Sequence, residues 1–298
     1  MADAHPIPSD PAPRPGAGDL LLLVGGVFAC STAVLLIKAS SVHPVLLSGY
    51  RLLFAALILS PLAWRAARRQ RPTAALLRRS FAPAVALALH FITWAIGARG
   101  TDAANASLLV NLTPLVMPLF LAIGAHERVS RRELLGTVIA FGGVALLTAG
   151  DFAVRPHQVA GDLMCLLSML LFTAYLALGR RNRDLPDLWL YLVPLYGIAG
   201  LLCFALAPLW TDPFAALPAR EYLLLLGLAV IPTVAGHSLL NRSLKHLRGQ
   251  IVTIVNLGQF VFAAVLAALL FRELPQPLFY PAAALVAIGA WIAIRPRG

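Results

Sequence analysis

The sequence predicts an all-α integral membrane protein with ten transmembrane helices arranged as two inverted five-helix repeats. Composition, a regular succession of apolar stretches and a weak internal repeat each support this fold class. Of the 298 residues, 59% are hydrophobic and 12% are charged, and the mean hydropathy is +0.81. Soluble domains carry about 25% charged residues, so this composition excludes an ordinary soluble protein.

Apolar stretches of about 17 to 22 residues follow one another from Asp19 onward. Each is close to the roughly 20 residues with which a helix crosses the hydrocarbon core of a bilayer. Residues 1–18 contain five prolines and no apolar run, so we expect a disordered cytoplasmic tail. The predicted spans are 19–37, 44–64, 81–98, 104–124, 134–150, 162–179, 188–210, 222–240, 251–271 and 278–294.

Basic residues cluster in alternate loops between the predicted spans. Arginine and lysine crowd residues 65–79, 128–132, 180–183 and 242–248, whereas the intervening loops carry few. Basic loops are retained on the cytoplasmic side, so both termini are predicted to be cytoplasmic. The formal charge of +11 therefore reports membrane topology and does not indicate a basic face for nucleic acid.

Short sequence matches recur at an offset of about 145 residues, which indicates an internal duplication. Five helices is an odd number, so the second copy must enter the bilayer upside down, an architecture typical of transporters. The predicted domains are a first five-helix repeat at 19–150 and a second, inverted repeat at 162–294. The matched pairs are 18–20 with 161–163, 61–64 with 208–210, 110–112 with 255–257, and Glu127 with Glu273.

Two stretches carry a resemblance to a known family. Residues 104–147 (ANASLLVNLTPLVMPLFLAIGAHERVSRRELLGTVIAFGGVALL) combine a polar, proline-containing fourth span, a glutamate and a glycine-punctuated fifth span. Residues 43–59 (HPVLLSGYRLLFAALIL) place Arg51 within the second span. Both stretches are similar to the drug/metabolite transporter (DMT) superfamily in its EamA family, and the chain most resembles the amino-acid exporters of the YddG kind. The second repeat departs from the pattern, because Pro281 occupies the position that corresponds to Gly136 and no basic residue corresponds to Arg51.

The resemblance implies a secondary transporter of the bacterial inner membrane that exports small metabolites by alternating access through a central cavity. Amino acids, aromatic ones included, are the expected substrates, and no cofactor or metal is expected. The other expected partner is the lipid bilayer. The small residues of the fifth and tenth spans serve either as a scaffold within the bundle or as the face of a homodimer. Two alternatives stay open: a drug or nucleotide-sugar transporter of the same fold, and a non-transporting membrane scaffold or lipid-handling protein. The sequence has no P-loop, HExxH or GxSxG motif, so no enzyme is predicted.

Two histidines lie within predicted spans, where an ionisable group is a functional candidate because its burial in hydrocarbon is costly. His90 is midway along the third span, and Trp94 follows one helical turn later on the same side. This pair could stack on a solute or bind it by hydrogen bonds. The alternative is a histidine satisfied by a neighbouring helix, with Trp94 in the outer aromatic belt. His237 in the eighth span is a second candidate, nearer the cytoplasmic end.

Amide side chains occupy corresponding places in the two repeats. Asn111, Thr113 and Pro114 predict a polar break in the fourth span, because proline frees a backbone carbonyl and asparagine offers both a donor and an acceptor. Asn256 and Gln259 occupy the related place in the ninth span. Transporters build substrate sites from such interrupted helices. The alternative is that these amides only join packed helices.

Five further residues complete the candidate set. Ser107 lies one turn before the break on the same face, and Pro232 predicts a kink in the eighth span. Arg51 either binds a substrate carboxylate or has a structural role, meeting helix C-terminal carbonyls or reaching toward the interface. The resemblance implies that Glu127 and Glu273 lock the gate ends of the fourth and ninth helices; the alternative is a solvated charge at a helix end. All carboxylates lie near span ends, in loops or in the tail, which disfavours a carboxylate-based proton relay.

Overall fold

A computed structural model describes residues 17–70, 73–125, 131–180, 187–246, 252 and 255–294. These residues form helices joined by turns, and this part of the chain contains no strand. One segment, Ala229–Gly236, is π-helical. The helices are α1 (Ala17–Ala39), α2 (Pro44–Arg69), α3 (Ala74–Gly100), α4 (Ala103–Val110), α5 (Thr113–Ala125), α6 (Arg131–Val154), α7 (Val159–Arg180), α8 (Leu188–Leu206), α9 (Ala219–Leu228), α10 (His237–His246), α11 (Gln259–Phe271) and α12 (Phe279–Ile294).

Seven segments of the described chain are long and apolar enough to cross a membrane. They are Ala17–Ala39, Pro44–Arg69, Ala74–Gly100, Ala103–Phe120, Pro156–Gly179, Leu188–Leu209 and Ala219–Leu240. Three shorter apolar helices also occur, at Leu134–Leu147, Val255–Phe271 and Phe279–Ile292. Each of these segments overlaps a predicted span, and ten crossings remain a prediction because the last three are short.

Local side-chain chemistry explains where several helices begin. α2 begins at Pro44, whose fixed φ suits the first helical position and whose missing N–H is not needed there. The Thr73 side chain accepts a hydrogen bond from the Leu76 N–H at the start of α3. The Asp187 side chain accepts one from the Trp189 N–H at the start of α8. Such caps satisfy backbone donors that have no partner within the helix.

Helices of the first half of the chain pack on helices of the second half. α2 lies along α8, α3 along α7, α6 along α12, and α1 against α10 and the π-helical segment. α3 and α7 meet at Gly100 and Gly161, where a Cβ on Gly161 would collide with the Gly100 backbone. Only glycine permits this approach of two helix backbones. The interior of the bundle is therefore built from both halves of the chain.

The outward face of the described helices is strongly apolar. Leucines at positions 21, 57, 201, 223 and 269 are each exposed over more than half of their surface. Soluble monomers rarely expose contiguous apolar surface on this scale. Lipid is the solvent that this surface suits, because hydrocarbon side chains lose nothing by facing acyl chains.

Candidate functional site

A cavity of about 180 Å³ lies in the middle of the bundle, between helices of the two halves. α1, α2, α3, the break after α4, α7 and the π-helical segment all contribute to its wall. Among the residues predicted from sequence, those that line the cavity are Arg51, His90, Trp94, Asn111, Pro232, His237, Asn256 and Gln259. The structure thus brings together eight positions that are spread over more than 200 residues of sequence.

Three amides form a hydrogen-bonded chain across the cavity wall. Asn256 Nδ2 donates to Asn111 Oδ1 at 3.2 Å, and Gln259 Nε2 donates to Asn256 Oδ1 at 2.6 Å. Asn111 Nδ2 in turn donates to the Ser107 carbonyl at 2.8 Å. This chain joins the fourth and ninth spans, as interhelical amides do, and it does so on the surface of the cavity.

The break between α4 and α5 follows from local sequence. Pro114 has no N–H to give to the carbonyl of Val110, and the Thr113 hydroxyl approaches that carbonyl at 3.5 Å. Around Leu112 the backbone instead forms tighter i→i+3 hydrogen bonds, from Leu112 N to Leu109 O and from Leu115 N to Leu112 O. The interruption therefore falls at Asn111 and exposes its amide to the cavity.

Ser107, Thr113 and Pro114 are not among the residues that line the cavity. Ser107 is buried and contributes through its backbone carbonyl, which accepts from Asn111. Thr113 is also buried, and its hydroxyl points toward the Val110 carbonyl at the end of α4. These three residues shape the break and stand behind the side chains that face the cavity.

His90 is held by α7 and presents its ring to the cavity. Its Nδ1 lies 3.0 Å from the Ser168 carbonyl and 2.8 Å from the Ser168 hydroxyl; since the carbonyl can only accept and the hydroxyl donates elsewhere, a proton on Nδ1 satisfies both contacts. The Ser168 hydroxyl donates to the His90 carbonyl at 3.0 Å. In the neutral ring, Nε2 is then left as an acceptor. One ring nitrogen is bonded to a neighbouring helix, as the structural alternative for His90 predicted. The ring nevertheless lines the cavity.

An aromatic cluster forms one side of the cavity. The Phe172 ring lies 4.7 Å from the His90 ring and 6.5 Å from the His237 ring, measured between centroids. Trp94 is only 6% exposed and lines the same cavity, so it is not in an outer aromatic belt. Phe91 completes the cluster beside His90, at 4.9 Å. This wall suits the apolar or aromatic body of a solute.

Arg51 is buried beside the cavity, with 2% of its surface exposed. Its Nε donates to the Thr233 hydroxyl at 2.6 Å, and its guanidinium carbon lies 4.1 Å from the centre of the Phe91 ring. Its Nη1 has no hydrogen-bond partner among the described residues. The side chain therefore neither reaches the interface nor meets a helix C-terminus, the two structural roles that the sequence allowed.

The π-helical segment explains how Thr233 comes to hold Arg51. Pro232 cannot donate to the carbonyl of Leu228, and the Thr233 hydroxyl donates to that carbonyl at 2.8 Å instead. The oxygen of Thr233 thereby keeps its lone pairs for the Arg51 Nε. The predicted kink at Pro232 takes the form of a widened helical turn, a geometry that is frequent at functional sites.

Ion pairs and hydrogen bonds join helix ends at one side of the bundle, which we call the polar end and define by Lys38, Asp102, Glu221 and Glu273. Lys38 Nζ lies 2.8 Å from Glu273 Oε2 and donates to the Thr101 carbonyl at 2.7 Å. Glu273 also accepts from the Ala103 N–H at the start of α4. The ends of α1, α3 and α11 are thereby tied to the start of α4.

Two further carboxylates complete the polar end. Glu221 accepts from the Ser40 and Ser41 hydroxyls at 2.7 and 3.1 Å, which ties α9 to the turn between α1 and α2. Asp102 pairs with Arg155 at 2.7 Å and accepts from Gln158 at 3.1 Å. The distribution of basic residues predicts that this end lies opposite the cytoplasm. Glu127, the other predicted gate residue, lies outside the described residues.

Sequence reasoning missed several residues of these two regions. Phe172 lies within an apolar stretch, where nothing separates a cavity aromatic from a core aromatic. Thr233 follows Pro232 directly, and a hydroxyl beside a helical proline is a usable signal. Glu221 and Ser40 are far apart in sequence, and only folding brings them together.

Comparison with known proteins decides the family. The model of the EamA-like transporter family matches residues 16–149 and, a second time, residues 159–295. The chain belongs to the EamA-like transporter family. It is accordingly a transporter and a multi-pass membrane protein, in agreement with its apolar helices.

Relatives cover most of the chain at low identity. The pseudopaline exporter CntI of Pseudomonas aeruginosa (strain UCBPP-PA14) is 24% identical over 203 residues, which are 67% of this chain and 69% of that protein. The uncharacterized protein PA1977 of Pseudomonas aeruginosa is 28% identical over 291 residues, 93% of this chain and 92% of that protein. A protein crystal structure matches with a TM-score of 0.65 and 18% identity, over 93% of this chain and 97% of its own. The structural match concerns the fold alone.

Proposed function

We propose that this chain is a secondary transporter that exports small metabolites, in particular amino acids including aromatic ones, across the bacterial inner membrane. It crosses the membrane ten times, as inverted repeats at residues 19–150 and 162–294, with both termini cytoplasmic. The named relative CntI is an exporter, which supports metabolite export at the level of the family. The observation that carries the proposal is the central cavity, which is lined by polar side chains of both halves.

The cavity offers complementary surfaces for an amphipathic solute. The side chains of Trp94, Phe172 and His90 take its apolar body, and the amides of Asn111 and Asn256 take its polar groups. No carboxylate lines the cavity within the described residues. A substrate ammonium group would therefore meet amide oxygens, backbone carbonyls or aromatic faces, which favours broad selectivity and weak affinity.

The way the halves are joined supports alternating access. The polar end ties α1, α4 and α11 together, and the same end ties α9 to the turn before α2. Rocking of one repeat against the other would open this end and close the opposite one around the cavity. Because none of the described residues of the cavity wall is a carboxylate, we expect facilitated flux that an imposed pH gradient does not drive.

Flux measurements in proteoliposomes test this function. Purified protein is reconstituted, and uptake of a labelled amino-acid panel is measured with and without a pH gradient. The variant combines His90→Ala, Asn111→Ala and Asn256→Ala. Thr93→Ala is the control, because the Thr93 hydroxyl bonds only to carbonyls of its own helix.

We expect saturable flux of several amino acids that is insensitive to the gradient, lost in the triple variant and retained in the control. Equal flux through the triple variant would remove this cavity as the transport path. No flux of any amino acid through the folded wild-type protein would remove the substrate assignment.

A further inference from the structure

The charges around the cavity are not balanced. Arg51, His90 and His237 line it, whereas no aspartate or glutamate does among the described residues. Arg51 has no carboxylate partner in the described ion pairs, which involve only Lys38, Arg155 and Arg220 as cations. A buried guanidinium without a counter-ion is costly, because neither water nor an opposite charge compensates its desolvation.

The contacts of Arg51 leave part of its guanidinium group without a hydrogen-bond partner. Thr233 occupies Nε, and the Phe91 ring covers one face. The remaining edge carries Nη2 and Nη1, and Nη1 is buried with no partner among the described residues. Two parallel N–H groups of this kind match the two oxygens of a carboxylate. The geometry fixes the orientation of the side chain and leaves its anion-binding edge without a protein acceptor for Nη1.

The surroundings of this edge select the rest of the ligand. The aromatic side chains of Phe91, Trp94 and Phe172 lie on the same cavity, and the amides of Asn111 and Asn256 supply neutral polar groups. A carboxylate at Arg51 therefore has an apolar wall beside it for a hydrophobic or aromatic body. The described part of the wall holds no anion that would require a cationic amine on the ligand.

We propose that Arg51 receives the carboxylate of the transported solute, and that the substrates are carboxylates with an apolar body whose amino group is dispensable. This inference rests on the proposed transport function and narrows its substrate class. It predicts that an acid whose amine is blocked is transported at least as well as the free amino acid. An amino-acid amide, which keeps the amine and lacks the carboxylate, is transported poorly.

Three probes that share the phenylalanine skeleton test whether the carboxylate or the amine is needed for transport: phenylalanine, N-acetylphenylalanine and phenylalaninamide. Flux is measured by counterflow at zero membrane potential, so that the net charge of the probe does not itself drive transport. For the wild-type protein we expect N-acetylphenylalanine to equal or exceed phenylalanine. Phenylalaninamide should be slower by about 10- to 100-fold, the factor expected from losing a charge-assisted hydrogen bond.

Variants of two arginines on one helix make the comparison specific. Arg51→Gln removes the charge and should abolish the preference for acid over amide, while Arg51→Lys keeps the charge and should retain part of it. Arg68→Gln is the matched control, because Arg68 also lies on α2 over an aromatic ring, 5.6 Å from Trp64, but is exposed. The control should leave both flux and preference unchanged.

Ligand-induced thermal stabilisation gives a second readout that does not need transport. N-acetylphenylalanine should raise the thermal midpoint of the wild-type and Arg68→Gln proteins and leave that of Arg51→Gln unchanged, because only a ligand bound to the folded state stabilises it. If Arg51→Gln does not fold, Thr233→Val replaces it. This variant keeps the charge, releases Nε and should lower the preference for the acid several-fold.

Equal flux of phenylalanine and phenylalaninamide in the wild-type protein would overturn the carboxylate assignment and leave transport standing. An unchanged acid preference in Arg51→Gln would overturn the role of Arg51. No flux of any probe through folded protein would instead overturn the proposed function, so the two failures are distinguishable.

Discussion

The polar end and the central cavity give their cations opposite kinds of partner. At the polar end, Lys38 meets Glu273 and Arg155 meets Asp102, each within 3 Å. In the cavity, Arg51 meets a hydroxyl and an aromatic face, and its Nη1 has no partner among the described residues. The first arrangement pairs each of these two cations with a carboxylate and holds helices together. The second is incomplete without an acceptor, as expected of a binding site.

Removing Glu221 should have the largest effect on stability, because this carboxylate satisfies several groups at once. It accepts from Ser40, Ser41 and Arg220, and its side chain is 4% exposed. Glu221→Ala should cost about 2 kcal/mol of unfolding free energy by leaving these donors without an acceptor. The thermal midpoint in detergent checks this, with Glu221→Gln as an intermediate control. An unchanged midpoint would mean that the polar end does not hold the helices together.

Asn256 should have the next largest effect, on transport rather than on stability. It donates to Asn111 and accepts from Gln259, so Asn256→Ala breaks both links of the amide chain. We expect a loss of about tenfold in flux, equivalent to one or two hydrogen bonds to substrate or between helices. Gln259→Ala breaks one link and should lose less. Equal losses in the two variants would contradict a central role for Asn256.

A double-mutant cycle on Lys38 and Glu273 should reveal a smaller coupling. Their side chains are 19% and 20% exposed, so solvent screens the pair in part. Lys38→Met, Glu273→Gln and the double variant should give a coupling energy of about 1 kcal/mol from thermal stability. Lys38→Met combined with Asp187→Asn, at the start of α8, serves as the uncoupled control. A coupling energy near zero would show that the contact contributes nothing.

His43 at the polar end should give the smallest effect, visible as a pH dependence. Burial lowers the pKa of His43 below its usual 6.5, and the Arg99 guanidinium lowers it further. The folded state thus favours the neutral ring, and its stability should fall as the pH drops below about 6.5, where the unfolded chain binds the proton. His43→Gln should flatten this part of the stability profile. An unchanged pH profile of stability in the variant would show that His43 does not cause this pH dependence.

The sequence was sufficient to predict much of the cavity wall and little of the polar end. His90, Asn111 and Asn256 stand out because polar groups within apolar spans are costly and need a reason. Phe172 gives no such signal, because an aromatic residue in a hydrophobic span is ordinary. The pairing of Lys38 with Glu273 depends on helix ends brought together by folding. Composition could identify both charges but could not match them.

Two helix breaks were predictable from proline, because a proline leaves the carbonyl four residues before it without a backbone donor. Pro114 and Pro232 each remove one backbone donor, and the structure shows an interruption at the first and a π-helical turn at the second. Which hydroxyl then occupies the freed carbonyl depends on the local widening of the helix. Thr233 does so and also holds Arg51, a consequence that the spacing of residues does not reveal.

The contrast between the two regions is tested most directly by counterflow of phenylalanine in the Arg51→Gln variant, normalised to folded protein and read beside its thermal midpoint. Replacing a buried charge that has no counter-ion among the described residues should cost little stability. The account predicts that flux falls by at least about tenfold while the midpoint stays within a few degrees of wild type. Retained flux with a sharply lowered midpoint would contradict it, since Arg51 would then serve the fold and not the substrate.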